Sequence, residues 1–281
     1  MADEGRGGRV WLITGASRGL GRAFAQAALD EGDAVALAAR DPSAVEDLCA
    51  AHPDSTLALD LDVTDRAAAH RAVAGALDAF GRIDVLVNSA GHGLHAAVEE
   101  TTESEAREQM ETNFFGALWV TQAVMGVMRR QRSGRILQVS SAAGGTGFPM
   151  VGLYCASKFA LEGMTEALAL EAERFGIAVT IVAPSDFRTG FLASCRDREA
   201  PIDEYSREFA DNLEAMSVRH VGSEPGDPLL AARAVLDLVR DPHPPRKLLL
   251  GNRSYDVHVA HHRAQLAEWV EQEGVARSAD G

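Results

Sequence analysis

Short apolar runs alternate with longer helical stretches along most of this 281-residue sequence. The runs are short and rich in aliphatic residues, and they predict β-strands at 10–13, 34–39, 56–59, 83–87, 135–139, 178–183 and 247–250. Helices are predicted between them at 19–31, 42–51, 103–130 and 154–174. A further helix is predicted to begin after Thr64, its N-cap, and to run to about Phe80. Strands that are apolar along their whole length indicate a parallel sheet covered on both faces.

This order predicts an α/β fold built on a doubly wound parallel sheet, Rossmann-like and of about seven strands. The length suits one domain over residues 1–281. Ligands of such sheets bind beyond the C-terminal ends of the strands, so motifs at those ends are the candidate site residues.

Two segments depart from the alternation. Residues 185–228 are polar and carry two short helical stretches, which predicts a substrate-binding loop or lid. Residues 254–273 place Val259, Leu266 and Val270 at roughly helical spacing. They predict a C-terminal amphipathic helix that packs on the body of the protein or on a neighbouring subunit.

The formal net charge of −14 makes nucleic acid and anionic membranes unsuitable partners. The N-terminus is acidic where a signal peptide is basic, and no apolar run approaches the ~18 residues of a membrane span. Cys49, Cys155 and Cys195 are odd in number and widely spaced, which argues against a disulfide framework or a zinc site. We therefore expect a cytoplasmic protein without a metal.

A glycine-rich turn follows the first strand, in the order Thr14-Gly15-Ala16-Ser17-Arg18-Gly19-Leu20-Gly21. Glycines at this spacing permit a tight turn and expose backbone N–H groups to a dinucleotide pyrophosphate at the start of the next helix. A turn that binds no ligand is the alternative. The position between a strand and an amphipathic helix favours the phosphate site.

The end of the second strand indicates which dinucleotide binds. An acidic residue there favours NAD, but this chain has Ala39 followed by Arg40. Arg40 and Arg18 are suited to a dianionic 2′-phosphate, which predicts NADP(H). The alternative is that both are solvated surface residues, and Asp41 provides another partner for Arg40 or for the ribose.

Tyr154 and Lys158 lie one helical turn apart on one face of a predicted helix. A phenol is a weak base at neutral pH, and a nearby ammonium stabilises the phenolate. The chain holds only two lysines, Lys158 and Lys247, and uses arginine elsewhere. A lysine kept at this position indicates a need for a compact ammonium.

Two further polar residues complete the predicted catalytic set. Ser141, at the end of the fifth strand, is placed to hydrogen-bond a substrate carbonyl, with Ser140 as the alternative. Asn113 lies inside a long helix, where Asn is unfavourable. It is either a buried hydrogen-bonding spacer or the holder of a water that links Lys158 to solvent.

Together these motifs resemble the short-chain dehydrogenase/reductase family in its single-domain form. The resemblance rests on T-G-x-x-x-G-x-G at Thr14–Gly21, N-S-A-G at Asn88–Gly91, Asn113, Ser141 and Y-x-x-x-K at Tyr154–Lys158. It covers about residues 9–190. The run Tyr154–Gly163 is also similar to hydroxysteroid dehydrogenase-like members.

The resemblance implies a set of cofactor-binding positions, each of which matches a family motif. They are Gly15, Ser17, Arg18, Gly19, Leu20, Gly21 and Arg40 for the phosphates, Asp62, Val63, Asn88, Ala90 and Gly91 for the adenosine, and Tyr154, Lys158, Pro184 and Thr189 for the nicotinamide riboside. Two positions depart from the family pattern: Ser185-Asp186 replaces the glycine after Pro184, and N-S-A-G replaces N-N-A-G.

The sequence therefore predicts an NADP(H)-dependent oxidoreductase that interconverts a ketone and a secondary alcohol, with Tyr154 as acid and base. His92, Phe148, Met150 and Phe191 are the predicted substrate-pocket residues, and a hydrophobic or polycyclic ketone is the expected substrate. The resemblance also implies a homodimer or homotetramer. A non-catalytic NADP-binding sensor or partner protein, and an NADP-using epimerase or dehydratase, are the alternatives.

Overall fold

A parallel sheet of seven strands lies at the centre of this computed structural model, which describes residues 8–215 and 224–280. The strands are β1 (Val10–Thr14), β2 (Ala34–Ala39), β3 (Thr56–Asp60), β4 (Val85–Asn88), β5 (Leu94–His95), β6 (Gly134–Val139), β7 (Ile177–Pro184), β8 (Arg196–Asp197) and β9 (Lys247–Leu250). The sheet has the order β3-β2-β1-β4-β6-β7-β9, while β5 and β8 pair with each other. The predicted doubly wound α/β fold is confirmed, with small changes at strand boundaries.

Helices cover both faces of the sheet. They are α1 (Gly19–Asp30), α2 (Glu46–Ala51), α3 (Arg66–Phe80), α4 (Glu103–Met110), α5 (Ala117–Gln131), α6 (Gly152–Glu173), α7 (Ser206–Ala215), α8 (Pro228–Arg240), α9 (Asn252–Glu271) and α10 (Glu273–Ser278). Alternate residues of β1 divide between two cores: Ile13 packs with Phe24 of α1, and Leu12 packs with Val124 of α5. Complete burial of such a side chain contributes about 1.5–3 kcal/mol. Two-sided burial is the reason that the strand is apolar throughout.

Two predicted helices have a different internal structure. The segment 42–51 begins as a 3₁₀ turn, Pro42–Val45, and becomes α-helical only at Glu46. The segment 103–130 consists of α4 and α5 joined by a π-helical stretch, Glu111–Gly116. A π-turn inside a helix is uncommon and occurs mostly at functional sites. Asn113 lies in it.

The predicted N-cap of α3 is wrong by one residue. Asp65, not Thr64, caps this helix, and its carboxylate accepts hydrogen bonds from the second and third helical amides. Thr64 instead donates its hydroxyl to Asp62 at 2.8 Å. A carboxylate is the better cap here because it also interacts favourably with the positive end of the helix dipole.

The predicted excursion at 185–228 contains short regular elements. A 3₁₀ turn, Leu192–Ser194, leads from β7 into β8, which pairs in parallel with β5. A second turn, Asp203–Tyr205, precedes α7. The pairing brings the chain from the end of β7 to the segment that follows β4. Residues 216–223 of the predicted excursion lie outside the described residues.

The predicted C-terminal helix at 254–273 begins at Asn252 and is divided into α9 and α10. Its first turns pack on the body, where Ser254 and His258 are buried. Leu266 and Val270 are 59% and 64% exposed, so the body does not cover these two side chains. Packing on a neighbouring subunit stays a prediction. None of the described helices combines the length and the apolar content needed to cross a bilayer.

Candidate active site

A cleft of about 1100 Å³ lies beyond the C-terminal ends of the central strands. Most of the predicted site residues line it. They are Gly15, Ser17, Arg18, Gly19, Leu20, Arg40, Asp62, Val63, Ala90, Gly91, His92, Ser141, Phe148, Tyr154, Lys158, Pro184, Thr189 and Phe191. Gly21, Asn88, Asn113 and Met150 are not among the lining residues.

The glycine-rich turn has no room for side chains at its critical positions. Gly15 and Gly19 have φ values of +67° and +60°, in the left-handed region that favours glycine. A Cβ on Gly15 would lie 2.9 Å from Cα of Ala90. A Cβ on Gly21 would lie 2.5 Å from the carbonyl oxygen of Gly15. Gly21 therefore lies beneath the turn and lets it close, rather than lining the cleft.

The two predicted NADP arginines face the cleft as exposed side chains. Arg18 precedes α1 directly, and Arg40 follows β2. Among the residues that the structure describes, neither guanidinium has a carboxylate within ion-pair distance. Asp41 does not neutralise Arg40, because its carboxylate accepts the amide and the hydroxyl of Ser43. Both positive charges therefore face the cleft without a paired carboxylate.

Tyr154, Ser141 and Lys158 line the same cleft. Tyr154 and Lys158 lie on α6, and Ser141 directly follows the end of β6. Lys158 Nζ lies 5.8 Å from the centre of the Tyr154 ring and donates to the carbonyl oxygen of Val139 at 2.9 Å. Burial raises the pKa of Tyr154, and a hydrogen bond with the Ser141 side chain opposes the rise. Burial lowers the pKa of Lys158 to about 8.

The choice between Ser140 and Ser141 follows from their partners. Both serines border the cleft, but Ser140 is buried and its Oγ is already engaged as a donor to Glu162 Oε1 at 2.6 Å. Ser141 lines the cleft beside Tyr154, and its Oγ accepts the amide of Ala143 at 3.2 Å. Ser141 is therefore the serine placed to meet a substrate oxygen.

Asn113 acts as a brace between segments. Its Oδ1 accepts the amide of His92 at 3.1 Å, and its Nδ2 donates to the carbonyl oxygen of His92 and to Ser157 Oγ, both at 3.0 Å. Both hydrogens of Nδ2 are used, so a water can bind this side chain only as a second donor to Oδ1. The spacer alternative thus describes the observed contacts, and the water-holding role stays a prediction.

Asn88 and Met150 require corrections. Asn88 was expected beside the adenosine, but it is buried, and its Nδ2 donates to Thr121 Oγ1 at 2.9 Å. An amide in a strand covered on both faces needs an internal partner, and α5 supplies it. Met150 was expected in the substrate pocket. It is buried with a φ of +62° and borders a separate groove beside Val98 and Pro149.

The comparisons with known proteins agree with this arrangement. A family model described as short chain dehydrogenase matches residues 9–200. The chain belongs to the short-chain dehydrogenase/reductase family. The predicted resemblance is confirmed, and the chain is an oxidoreductase of this family.

The similarity to known proteins extends well beyond the catalytic motifs. A 3-ketodihydrosphingosine reductase from Bacteroides thetaiotaomicron is 37% identical over 245 residues, covering 86% of this chain and 88% of the relative. A solved short-chain dehydrogenase from Streptomyces avermitilis has a TM-score of 0.89 at 39% identity, covering 98% of this chain and 100% of that one. An alcohol dehydrogenase from the archaeon Thermococcus sibiricus, solved with 5-hydroxy-NADP, has a TM-score of 0.71 at 26% identity, covering 86% and 95%.

The Ser185-Asp186 departure from the family pattern is held by residues near the C-terminus. The amide of Ser185 donates to the carbonyl oxygen of Leu250 at 2.9 Å, and Asp186 pairs with Arg253 at 2.9 Å. Gly251 leaves room for this serine, because a Cβ there would lie 2.2 Å from Ser185 Oγ. The junction of β9 and α9 thus fixes the backbone that leads to Thr189.

Sequence reasoning missed residues that the excursion brings into the cleft. Cys195 packs on Gly93, where a Cβ would lie 2.5 Å from its Sγ, and burial raises the pKa of this thiol to about 12. Arg196 and Arg253 also line the cleft. The Phe191 ring lies 5.9 Å from the Tyr154 ring. Cys195, Arg196 and Arg253 have no motif or periodic signal in the sequence, whereas Phe191, which the sequence predicts, stands out as a large apolar residue in a polar segment.

Proposed function

We propose that this protein is an NADP(H)-dependent oxidoreductase that interconverts a ketone and a secondary alcohol. One observation carries the proposal: the Tyr154–Ser141–Lys158 group faces the same cleft as the glycine turn. A proton donor and a dinucleotide-sized site thus share one space. A non-catalytic binding protein has no need of that combination.

The residues present fit NADP(H). The left-handed backbone at Gly15 and Gly19 forms a tight turn into α1, and the backbone N–H groups at the start of that helix are suited to a pyrophosphate. The exposed guanidiniums of Arg18 and Arg40 are suited to a 2′-phosphate. When bound, NADPH supplies the hydride that adds to the carbonyl carbon.

The protein's own residues handle the proton and the charge. Tyr154 Oη donates its proton to the carbonyl oxygen, and the Ser141 hydroxyl donates a hydrogen bond to the same oxygen. The Lys158 ammonium stabilises the phenolate that remains on Tyr154. The carbonyl oxygen of Val139 holds this ammonium at 2.9 Å and keeps it directed toward the cleft. Oxidation of the alcohol uses the same groups in reverse.

The physiological substrate that we propose is a hydrophobic ketone. Phe148, Val151 and Phe191 give the cleft an apolar wall near Tyr154. The relative from Bacteroides thetaiotaomicron is named as a reductase of a 3-keto compound, which supports reduction as the direction. Polycyclic ketones are included in the proposal because this wall of the cleft is apolar.

We also propose a homodimer or homotetramer in a reducing, cytoplasmic compartment. Helix α6 exposes Phe159 and Leu170, at 45% and 63%, and such side chains are suited to burial against a second subunit. Cys49, Cys155 and Cys195 are all free thiols. Light scattering during size-exclusion chromatography measures the assembly, and a monomer at micromolar concentration would contradict this part.

Purified protein tested with NADPH and a panel of ketones decides the main proposal. The panel includes 3-ketodihydrosphingosine, a long-chain aliphatic ketone, a steroid ketone and cyclohexanone. We expect loss of NADPH absorbance and formation of the alcohol with at least one hydrophobic ketone. Tyr154→Phe should reduce kcat by about 10³-fold while NADPH still binds. Tight NADPH binding without turnover of any ketone would favour the sensor alternative.

A further inference from the structure

The only two lysines of the chain lie beside one carboxylate. Lys247 Nζ, on β9, donates to Glu162 Oε2 at 2.5 Å. Lys158 lies one helical turn before Glu162 on α6, and the two charges interact. The Glu162 side chain is only 7% exposed, so it is a charge held inside the protein. Buried carboxylates are costly unless they are paired and hydrogen-bonded.

The carboxylate and the catalytic lysine form two adjacent links between α6 and the end of β6. Lys158 Nζ donates to the carbonyl oxygen of Val139, and Ser140 Oγ, from the next residue, donates to Glu162 Oε1. Gly144 leaves the space for this contact, because a Cβ there would lie 2.3 Å from both Glu162 Oε1 and Ser140 Oγ. The links thus fix the turn that carries Ser141.

We propose that Glu162 is a positioning residue that keeps the Lys158 ammonium charged, and that Lys247 limits this effect by sharing the carboxylate. The inference rests on the proposed function, in which that ammonium assists Tyr154. It assigns a role in the same reaction to two residues that lie outside the catalytic motif.

The positions of the neighbouring charges determine whether each one favours the charged or the neutral form of Lys158. Burial favours the neutral amine of Lys158, and the negative charge of Glu162 opposes that effect. Lys247 faces the same carboxylate from β9 and partly neutralises it. His258 faces the group from α9, but burial lowers the pKa of His258 and favours a neutral ring at neutral pH. Tyr154 and His92 are further titratable neighbours of Lys158, and burial lowers the pKa of His92 and favours its neutral ring.

The small number of lysines makes a direct test possible. Protein grown with lysine labelled with ¹³C at Cε gives two NMR signals, and Lys247→Arg identifies the one from Lys158. We expect Glu162→Gln to lower the titration midpoint of the Lys158 signal by about one pH unit. Lys247→Met should raise it, because the carboxylate then acts on Lys158 alone. Opposite shifts are not expected from a merely structural role.

Glu162→Gln keeps an oxygen that accepts the Ser140 hydroxyl, so it removes the charge while preserving the contact. The matched control is Glu166→Gln, an exposed residue one turn further along α6, which should leave the midpoint unchanged. Glu162→Asp retains the charge and should stay near the wild-type midpoint. If Glu162→Gln does not fold, Lys247→Met carries the test by itself.

Turnover provides a second, separable readout. In Glu162→Gln, the alkaline limb of kcat for ketone reduction should move to lower pH in step with the NMR midpoint. If the wild-type protein turns over a ketone but the Lys158 midpoint is unchanged in both Glu162→Gln and Lys247→Met, the inference is overturned and the proposed function stays intact. If the Lys158 midpoint moves in the variants but the wild-type protein turns over no ketone, the electrostatic arrangement is supported and the proposed function is overturned.

Discussion

Ser140 and Ser141 are consecutive residues at the end of β6, and their hydroxyls have different partners. Ser140 Oγ donates to the buried Glu162 carboxylate at 2.6 Å, whereas the Ser141 side chain meets Tyr154 within the cleft. Alternation along an extended chain directs neighbouring side chains to opposite sides. One serine therefore supports the site and the other faces the substrate.

This difference predicts distinct effects for two alanine substitutions. Ser141→Ala should lower kcat by about 10²-fold because it removes a donor to the developing oxyanion. Ser140→Ala leaves that donor in place and should lower the free energy of unfolding by about 1–3 kcal/mol, since Glu162 loses a buried partner. Steady-state kinetics and urea unfolding separate the two effects. A larger kcat loss in Ser140→Ala would reverse our assignment.

Cofactor preference should depend on Arg40. Arg40→Asp is expected to reduce the ratio of kcat/KM with NADPH to kcat/KM with NADH by about 10- to 100-fold, because charge-assisted hydrogen bonds contribute about 1.5–3 kcal/mol. Arg22→Ala is the control, since Arg22 lies on α1, does not line the cleft and pairs with Asp47. An unchanged ratio in Arg40→Asp would exclude Arg40 from 2′-phosphate recognition.

Closure of the glycine turn should be sensitive to a single methyl group. Gly21→Ala places a Cβ 2.5 Å from the backbone oxygen of Gly15, so the turn must shift. We expect the Kd for NADPH to rise at least about tenfold, which corresponds to about 1.4 kcal/mol. Gly163→Ala in α6 is the control because nothing lies within 4 Å of its added Cβ. Equal affinity in the two variants, measured by calorimetry, would contradict this account.

The lowered pKa of Lys158 predicts how the rate of ketone reduction depends on pH. Burial lowers the pKa of its ammonium to about 8, so the protonated fraction falls as the pH rises through that value. Loss of the positive charge destabilises the Tyr154 phenolate, and kcat/KM for reduction should therefore fall above about pH 8. The free enzyme determines this profile. A profile that is flat to about pH 10 would show that the ammonium is not required.

The sequence predicted the sheet well because burial on both faces leaves a strong pattern. Leu12 and Ile13 enter different cores, and a strand that satisfies both must be apolar throughout. Local hydrogen bonding is harder to predict. Thr64 and Asp65 are adjacent residues that can both cap a helix, and only the backbone geometry at this turn selects Asp65.

The site was predictable where one short segment carries the chemistry, as at Tyr154 and Lys158. It was not predictable where contacts join distant segments. Asn88 belongs to a recognised motif, yet its side chain turns toward Thr121 of α5, because the buried amide needs a partner. Cys195 enters the cleft only because β8 pairs with β5, and two-residue strands leave no periodic pattern.

The excursion is held over the cleft by a buried ion pair, and its loss should open that side of the site. Arg198 Nη1 lies 3.1 Å from Glu100 Oε2, with side chains 7% and 0% exposed. Glu100 also accepts the amide of Ile202 at 2.9 Å. Removal of one partner from a buried pair costs about 3–5 kcal/mol because the other charge is left uncompensated.

Arg198→Ala should therefore increase the rate of proteolysis between β8 and α7 and raise KM for the ketone, while NADPH affinity changes little. Arg207→Ala is the control, because Arg207 is 94% exposed and lies 3.9 Å from Asp211 on the same helix. Such surface pairs contribute little to stability. Replacement of both partners, in Glu100→Leu with Arg198→Met, should restore resistance to protease because no buried charge then remains unpaired. If Arg198→Ala and Arg207→Ala behave alike, the ion pair does not hold the excursion.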